Sequence, residues 1–542
     1  MATSDERGKV VNTLRDFLEY YEKLFPDDVV TIKTPVSLEY ETTAYYNALK
    51  ERNPVIRFTN IKGYPDFDLV TNILGSYRRM AFALRCNETE LEGKWTELMR
   101  GDTEPDVIRK RRGYTLIQDN QVNLFALPVP KHYKQDGSKT GYGHYITSGL
   151  AITRNPDDSS VINLSFNRIQ LIGETKYAFD AGSHGHMWKY LQKCRKKGER
   201  MQVTVVIGAH PLFYMLAASF IENEYRKACS FLKSSLVEGW LNDIPLPTGF
   251  EIALEAEVLL DESFDEGPFS EYTGYMGRDS TRNVAHVKSI ILKKSPIYYD
   301  IQPSNSSEHV SLFSFPRNVA ITTTISEFLP QGPVYRIIWP PSASHYLSLC
   351  YITDPEPGLA KQLGLAVLGL DPLFAKLCFV NQGAVDLTLE NILVNLARNG
   401  LKENPLIVDN VYCIKSNPTV DRNGTSSKII IVTEGDNPEY TKTVEPDMVT
   451  LRTRYAKVVF SRKRVTGAKV NVILGKDVSL ENTDEVAWSI ATRVRPDKDI
   501  HLTQEGLVFE ADKRVGEVPV IPPSVKRRIA SIVTPRKPRW PQ

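Results

Sequence analysis

Two glutamates five residues apart, Glu266 and Glu271, sit on either side of a Gly-Pro step in EGPFSEYTGYMG. A pair of carboxyls can divide acid–base work, one staying ionised while the other carries a proton. On a regular helix or strand, residues i and i+5 do not share a face. Gly267-Pro268 is turn chemistry, and a turn can bring both acids into one cleft. A second stretch, NLSFNRIQLIG, runs from Asn163 to Gly173. Strand alternation sends Asn163, Ser165 and Asn167 to one face, and Leu164, Phe166 and Arg168 to the other. A guanidinium among apolar neighbours needs a carboxylate partner, because deprotonation cannot remove its charge.

These residues must be positioned by surrounding elements. The opening segment VVNTLRDFLEYYEKLF has Val11, Leu14, Phe17, Leu18, Tyr21 and Leu24 at helical spacing, and strand and helix patterns alternate after it. Residues 1–114 read as a small α/β domain. From 115 to 315 the pattern turns to short β-rich runs, interrupted by two helical stretches, HMWKYLQKCRKKG and LFYMLAASFIENEYRKA. This predicts a central antiparallel, split-barrel-like sheet domain. Residues 316–542 alternate again and predict a C-terminal α/β domain, with an inserted or elaborated segment near 400–467. There is a hint of a repeat there: 375–398 and 468–493 share a strand, Leu-Glu-Asn and an amphipathic helix ending in Arg. The second is longer by four residues after the tripeptide, and the pattern fits either a duplication or two unrelated strand–helix units. The fold class is α/β and multidomain.

At 542 residues the chain exceeds a single core. Its 42% hydrophobic and 24% charged residues are ordinary for a globular protein. A net charge of +2 gives no sign of a nucleic-acid or acidic-membrane partner. The six cysteines are widely spaced with no CxxC, which argues against a zinc site or a disulfide framework. No run of 18 apolar residues and no N-terminal apolar segment is present, so the expected location is cytoplasmic.

NLSFNRIQLIG together with EGPFSEYTGYMG resembles the signature of the UbiD family of decarboxylases, which use prenylated FMN. NIKGYPDFDLVTNILGSYRRMAFAL is similar to the family's N-terminal domain, and PVYRIIWPPSASHYLSLCYI and VAWSIATRVRPDKDI to its C-terminal domain. The resemblance implies a catalytic triad of Arg168, Glu266 and Glu271. Arg168 would hold a substrate carboxylate bidentately, and Glu266 would brace it. Glu271, kept from water near like charge, would have a raised pKa and deliver the proton that replaces CO₂. Cofactor contacts are implied at Asn163, Arg168, Ile169, Gln170, His184 and Glu224. The flavin phosphate would be held through a divalent metal on Asn163, His184 and Glu224, with His186 and Glu222 as alternatives. Oxygen and imidazole ligands favour Mn²⁺, or else Mg²⁺ or Fe²⁺, and K⁺ is expected alongside. Ser165, Asn167 and Ser270 depart from the family pattern, and Ser165 and Ser270 add bulk where the flavin should lie.

The implied activity is reversible, non-oxidative decarboxylation of an aromatic or α,β-unsaturated carboxylic acid. The implied partners are that acid and CO₂, a flavin prenyltransferase as cofactor supplier, and further copies of the chain in a homodimer or larger homo-oligomer. Two readings compete. One is a subunit of a multi-component enzyme acting on an aryl phosphate or CoA thioester. The other is a catalytically silent flavin-binding protein of the same fold.

Overall fold

The computed structural model describes residues 11–109, 111–182, 185–219, 221–329, 334–353 and 356–533. They form two compact units. The first takes the chain up to Ser270, Met276–Pro316 and the part from Pro519 on; the second takes Glu271–Tyr275 and Arg317–Val518.

In the first unit, the opening helix Leu14–Leu24 buries Leu14, Phe17, Leu18 and Tyr21 of the predicted stripe, while Val11 precedes the helix and Leu24, at its end, is 39% exposed. Thr13 and Asp16 close a capping box at its start, a device that contributes about 1 kcal/mol. A four-stranded sheet follows in the order Val29–Ile32, Val55–Phe58, Asp68–Thr71, Ile297–Asp300. The helix Pro523–Val533 returns to this unit, where Arg528 pairs with Glu41 of the helix Glu41–Leu49.

The central sheet has nine strands and only antiparallel pairings. Its row runs from Tyr145–Ile146 through Ile169–Leu171, Lys176–Phe179, Ser280–Lys293, Ile252–Glu266, Met201–Ile207 and Leu150–Asn155 to Asp158–Phe166. Tyr114–Gln118 adds to Ser280–Lys293. β-Branched and other apolar side chains such as Ile152, Val203, Val205, Leu254 and Ile290 are buried in it. The first helical pattern becomes His186–Lys197. The second, read from the sequence as one stretch, is two helices, Pro211–Ala217 and Glu224–Leu232. The cause lies in the backbone: Asn223 is left-handed, with φ 62°, and starts the second helix afresh.

The second unit contains the same strand plan twice. In one sheet Tyr335–Ile338 pairs antiparallel with Leu347–Ile352, which runs parallel to Leu377–Gln382 and then Thr425–Glu434, with Leu406–Tyr412 antiparallel at the far edge. In the other, Met448–Arg452 pairs antiparallel with Lys457–Ser461, followed in parallel by Val470–Leu474 and Leu507–Ala511, with Ile500–Leu502 antiparallel at the edge. The third strand of each plan leads to a helix of 11 residues, Leu389–Asn399 or Thr483–Arg493. The repeat seen in the sequence is therefore a duplication of topology. Residues 400–467 are shared between the sheets: Leu406–Tyr412 and Thr425–Glu434 complete the first, and Thr441–Glu445, Met448–Arg452 and Lys457–Ser461 open the second. Among the described residues no helix is long and apolar enough to cross a membrane.

Candidate active site

The strand Asp158–Phe166 sets one wall of the site. Asn163 Nδ2 donates to Ser165 Oγ at 3.3 Å, and Ser165 Oγ donates to Asn167 Oδ1 at 3.1 Å. The three polar side chains share a face, as alternation requires. Regular strand stops after Phe166, where Asn167 Nδ2 donates to the Asp180 carbonyl at 2.5 Å. Arg168 lies in this break, just before the short strand Ile169–Leu171.

Arg168 finds the carboxylate its position demands. Its Nη2 is 2.7 Å from Glu266 Oε2, with the two side chains 15% and 1% exposed. Removing one member of a pair buried this deeply strands the other charge, at a cost of about 3–5 kcal/mol. The guanidinium also lies over the Phe269 ring, 5.0 Å from its centroid. Glu266 does not serve Arg168 alone. Arg282 Nε reaches the same oxygen at 3.3 Å, while its Nη1 is 2.7 Å from Asp180 Oδ1. The Tyr145 ring tilts against Phe269 at 4.4 Å, and its hydroxyl feels both Glu266 and Arg168. Burial pushes the Tyr145 phenol up and the Glu266 charge adds to the effect, so the phenol keeps its proton. Among the described residues, Glu266 Oε1 and Ser270 Oγ are buried polar atoms without a hydrogen-bond partner.

The turn after Glu266 is braced from the 133–143 segment. Gln170 Oε1 accepts from the Gly267 amide at 3.4 Å, and its Nε2 donates to Thr140 Oγ1 at 3.0 Å and to the Tyr142 carbonyl. Gly137 N donates to the Pro268 carbonyl at 2.9 Å. Ile169 and Gln170 are fully buried between paired strands.

Glu271 belongs to the second unit with its neighbours up to Tyr275. There the segment is tied down on all sides. The Glu271 amide donates to the Tyr275 carbonyl at 2.8 Å, and the Tyr272 hydroxyl meets Tyr346 Oη at 2.7 Å and Ser416 Oγ at 3.2 Å. Trp488 Nε1 donates to the Thr273 carbonyl at 2.8 Å, and Arg493 Nε to the Tyr275 hydroxyl at 2.9 Å. Left-handed Gly274, with φ 83°, lets the backbone approach the Trp488 indole; a Cβ there would sit 3.0 Å from Nε1.

Of the residues expected to bind metal, Asn163 and Glu224 are 4% and 3% exposed. They come from neighbouring elements, since the Glu224 carboxylate is approached by the amide of Leu164, the residue after Asn163. Burial pushes the Glu224 carboxyl up to about 8, with the Glu222 charge adding and the backbone amides opposing. Glu222 itself is exposed, and His186 opens the helix His186–Lys197. His184 lies outside the described residues. Among the described residues no group of three or more His, Cys, Asp or Glu side chains is placed to hold a metal. The chemistry of Asn163 and Glu224 nonetheless fits one: a nearly buried carboxyl and a nearly buried amide side chain offer oxygen donors suited to a hard divalent cation.

Arg282, Asp180 and Tyr145 went unnoticed in the sequence. Only the register of the hairpin Ile252–Glu266/Ser280–Lys293, which sets Arg282 opposite Phe264, brings Arg282 beside Glu266.

Three domain models of one family match the chain in order. They are the 3-octaprenyl-4-hydroxybenzoate carboxy-lyase N-terminal domain at residues 25–99, the Rift-related domain at 108–306 and the C-terminal domain at 453–517. The anhydromevalonate phosphate decarboxylase of Methanosarcina mazei is 29% identical over 322 residues, 58% of this chain and 71% of that protein. The phenolic acid decarboxylase of Sedimentibacter hydroxybenzoicus is 23% identical over 474 residues, 81% of this chain and 96% of that protein. The fold matches the UbiD-class enzyme HmfF from Pelotomaculum thermopropionicum, solved in complex with FMN. The TM-score is 0.71 at 23% identity, covering 78% of this chain and 94% of that one. With all three family domains in sequence order and the same fold, the chain belongs to the UbiD family of carboxy-lyases.

Proposed function

We propose that the protein is a reversible, non-oxidative decarboxylase of an aromatic or α,β-unsaturated carboxylic acid, working with prenylated FMN. The observation that carries this reading is the buried Arg168–Glu266 pair at 2.7 Å, a guanidinium poised to take an anionic group and braced by a carboxylate. Arg168 receives the substrate carboxylate and orients the bond to be broken. Glu266 and Phe269 hold the guanidinium plane. The C–C bond breaks, CO₂ departs, and Glu271 donates the proton that takes its place on carbon. Run in reverse at high CO₂, the same groups remove that proton and hold the new carboxylate.

The prenylated flavin, when bound, supplies the electron sink for C–C cleavage. Asn163 and Glu224, with His184, would hold a divalent metal such as Mn²⁺ that ties down its phosphate. Glu266 Oε1 and Ser270 Oγ, without hydrogen-bond partners among the described residues, supply buried polar atoms for a bound molecule to meet.

The test is mass spectrometry of the cofactor released from protein co-expressed with a flavin prenyltransferase, with metal analysis of the same sample. A panel of aromatic and α,β-unsaturated acids is then assayed for CO₂ release. Prenylated FMN, a divalent metal and CO₂ from at least one acid are expected. Plain FMN or no flavin, under conditions that load a control decarboxylase, overturns the reading.

A further inference from the structure

Four charged side chains of alternating sign stand at one end of the central sheet, on or directly beside four neighbouring strands. Arg168 precedes Ile169–Leu171, Asp180 follows Lys176–Phe179, Arg282 lies in Ser280–Lys293 and Glu266 ends Ile252–Glu266. The backbone links the outer pair, since Asp180 N donates to the Arg168 carbonyl at 3.3 Å. The side chains close the row into a ring: Asp180 to Arg282 at 2.7 Å, Arg282 to Glu266 at 3.3 Å, Glu266 to Arg168 at 2.7 Å. The Tyr145 hydroxyl also feels the Glu266 charge.

A single contact at 2.7 Å lets a carboxylate swing about its own axis and carry the guanidinium with it. A second donor on the same oxygen, anchored elsewhere, removes that freedom. Arg282 meets both conditions, because Asp180 holds its other end and the hairpin fixes its backbone. The consequence falls on Arg168, the group that receives substrate in the function proposed above. An error of about 1 Å in its placement costs on the order of 100-fold in rate.

We infer that Arg282 is a positioning residue of the decarboxylation site: by sharing Glu266 Oε2 with Arg168 it fixes the Glu266 carboxylate, and through it the plane in which Arg168 presents itself to the substrate carboxylate. The inference rests on the proposed roles of Arg168 and Glu266. It goes beyond them in naming a fourth participant that touches neither substrate nor cofactor.

The experiment uses cofactor-loaded enzyme and the first acid the panel identifies, with benzoate affinity as a readout independent of turnover. Wild type, R282Q, R282K, E266Q and the double variant E266Q/R282Q are compared, each checked for cofactor content and thermal stability. R282Q is expected to lower kcat about 30- to 100-fold with a smaller change in KM, and to weaken benzoate binding several-fold. R282K should recover most of kcat, since an ammonium can still reach Glu266 Oε2. The double variant should be no worse than E266Q alone, because Arg282 acts through that carboxylate. Wild-type kcat and benzoate affinity in R282Q, or losses that multiply in the double variant, overturn the inference. If R282Q fails to fold, D180N, which takes the charged anchor from the other end of Arg282, replaces it: its kcat loss must disappear in the E266Q background. E266Q with wild-type turnover would instead overturn the proposed function, a separate result.

Discussion

Arg168 and Arg282 donate to the same oxygen of Glu266, at 2.7 and 3.3 Å. One carboxylate is thus committed to two guanidiniums, and its other oxygen is left without a partner among the described residues. Such an arrangement suits a fixed brace, which holds a cation in place without competing for the anion that cation is to bind. The two glutamates of the signature segment belong to different units. Glu266 is tied into the central sheet of the first unit, while Glu271 is tied into the second by the bonds that hold Tyr272, Thr273 and Tyr275.

Arg168→Lys keeps the charge and loses the planar fork. An ammonium can pair with Glu266 or with a substrate carboxylate, but cannot present two parallel donors to either. The expected outcome is a fall in kcat/KM of about 100-fold or more, with cofactor content unchanged. Steady-state kinetics on the acid found by the panel, beside flavin absorbance of the same preparation, checks it. Retention of wild-type kcat/KM would remove Arg168 from the substrate-binding role.

Glu224→Gln tests the metal assignment. The amide preserves shape and burial but brings no negative charge to a divalent cation. Metal content per chain is expected to drop about tenfold after dialysis, while the stability of the metal-free protein near neutral pH rises, because the amide spares the folded chain the proton that the buried carboxyl must take up. Elemental analysis and a melting curve in chelator read both. Full metal content would move the site elsewhere, with exposed Glu222 the first alternative.

Much of the site was legible in the sequence because it obeys simple rules. Alternation put Asn163, Ser165 and Asn167 on one face, and the cost of a lone guanidinium called for a carboxylate near Arg168. Arg282 was not legible, for a geometric reason. In the long hairpin, Leu259 pairs with Val284 and Ser263 with Asn283, so Leu260, Asp261 and Glu262 have no opposite residues. An odd number of extra residues exchanges the faces of a strand, and alternation counted from Leu254 then misplaces everything near Glu266.

The C-terminal repeat was visible, but its register was misleading. The shared Leu-Glu-Asn forms the first turn of the helix Leu389–Asn399, capped by Thr388. In the second copy the same tripeptide ends before the helix, and its Asn482 is the cap. Equivalent structure therefore aligns Thr388 with Asn482. The four extra residues counted after the second Leu-Glu-Asn reflect a match between tripeptides at different places in the fold.

Gly137→Ala is expected to disturb the brace on the Gly267-Pro268 turn. Gly137 has φ 61°, and a Cβ there would lie 1.9 Å from the Tyr142 carbonyl oxygen, which is backbone and cannot swing away. Strain of this kind costs about 1–3 kcal/mol. The segment would open, taking with it the bond from Gly137 N to the Pro268 carbonyl. Urea unfolding should show the stability loss, and hydrogen exchange should show faster exchange of the Gly137 amide. Unchanged exchange there would mean the turn does not depend on this segment.

Asp136 gives the first unit a defined pH dependence. Burial pushes its carboxyl up to about 6, against the opposing His132 charge and the amides of Tyr133 and Ser270. Between pH 4 and 6 the unfolded chain has released this proton and the folded chain keeps it. Stability attributable to Asp136 is therefore present at the acid end and is lost as pH rises through the window, by up to about 3 kcal/mol. His132 acts with the same sign at higher pH. Burial works against its charge, but Asp300, 3.0 Å away, outweighs burial and raises its pKa. Asp136→Asn should flatten the melting temperature between pH 4 and 6; an unchanged slope would assign the effect to another group.

Lys376→Met is expected to stabilise the second unit. Lys376 is 1% exposed, donates to the neutral Thr419 hydroxyl at 3.3 Å, and shares its surroundings with a second buried cation, Lys428. Desolvation pulls its pKa down to about 7; Lys428 pulls the same way, and Cys413 and Asp499 oppose it. From pH 7 to about 10.5 the unfolded chain binds a proton that the folded chain does not, so this group costs most at or below neutral pH and progressively less as pH rises. Methionine fills a similar volume with no charge to desolvate. The substitution should therefore add about 1–3 kcal/mol near pH 7, and the advantage should shrink towards pH 9. Melting curves of both proteins at the two pH values decide it. A loss of stability of equal size at both would show that the bond to Thr419 outweighs the buried charge.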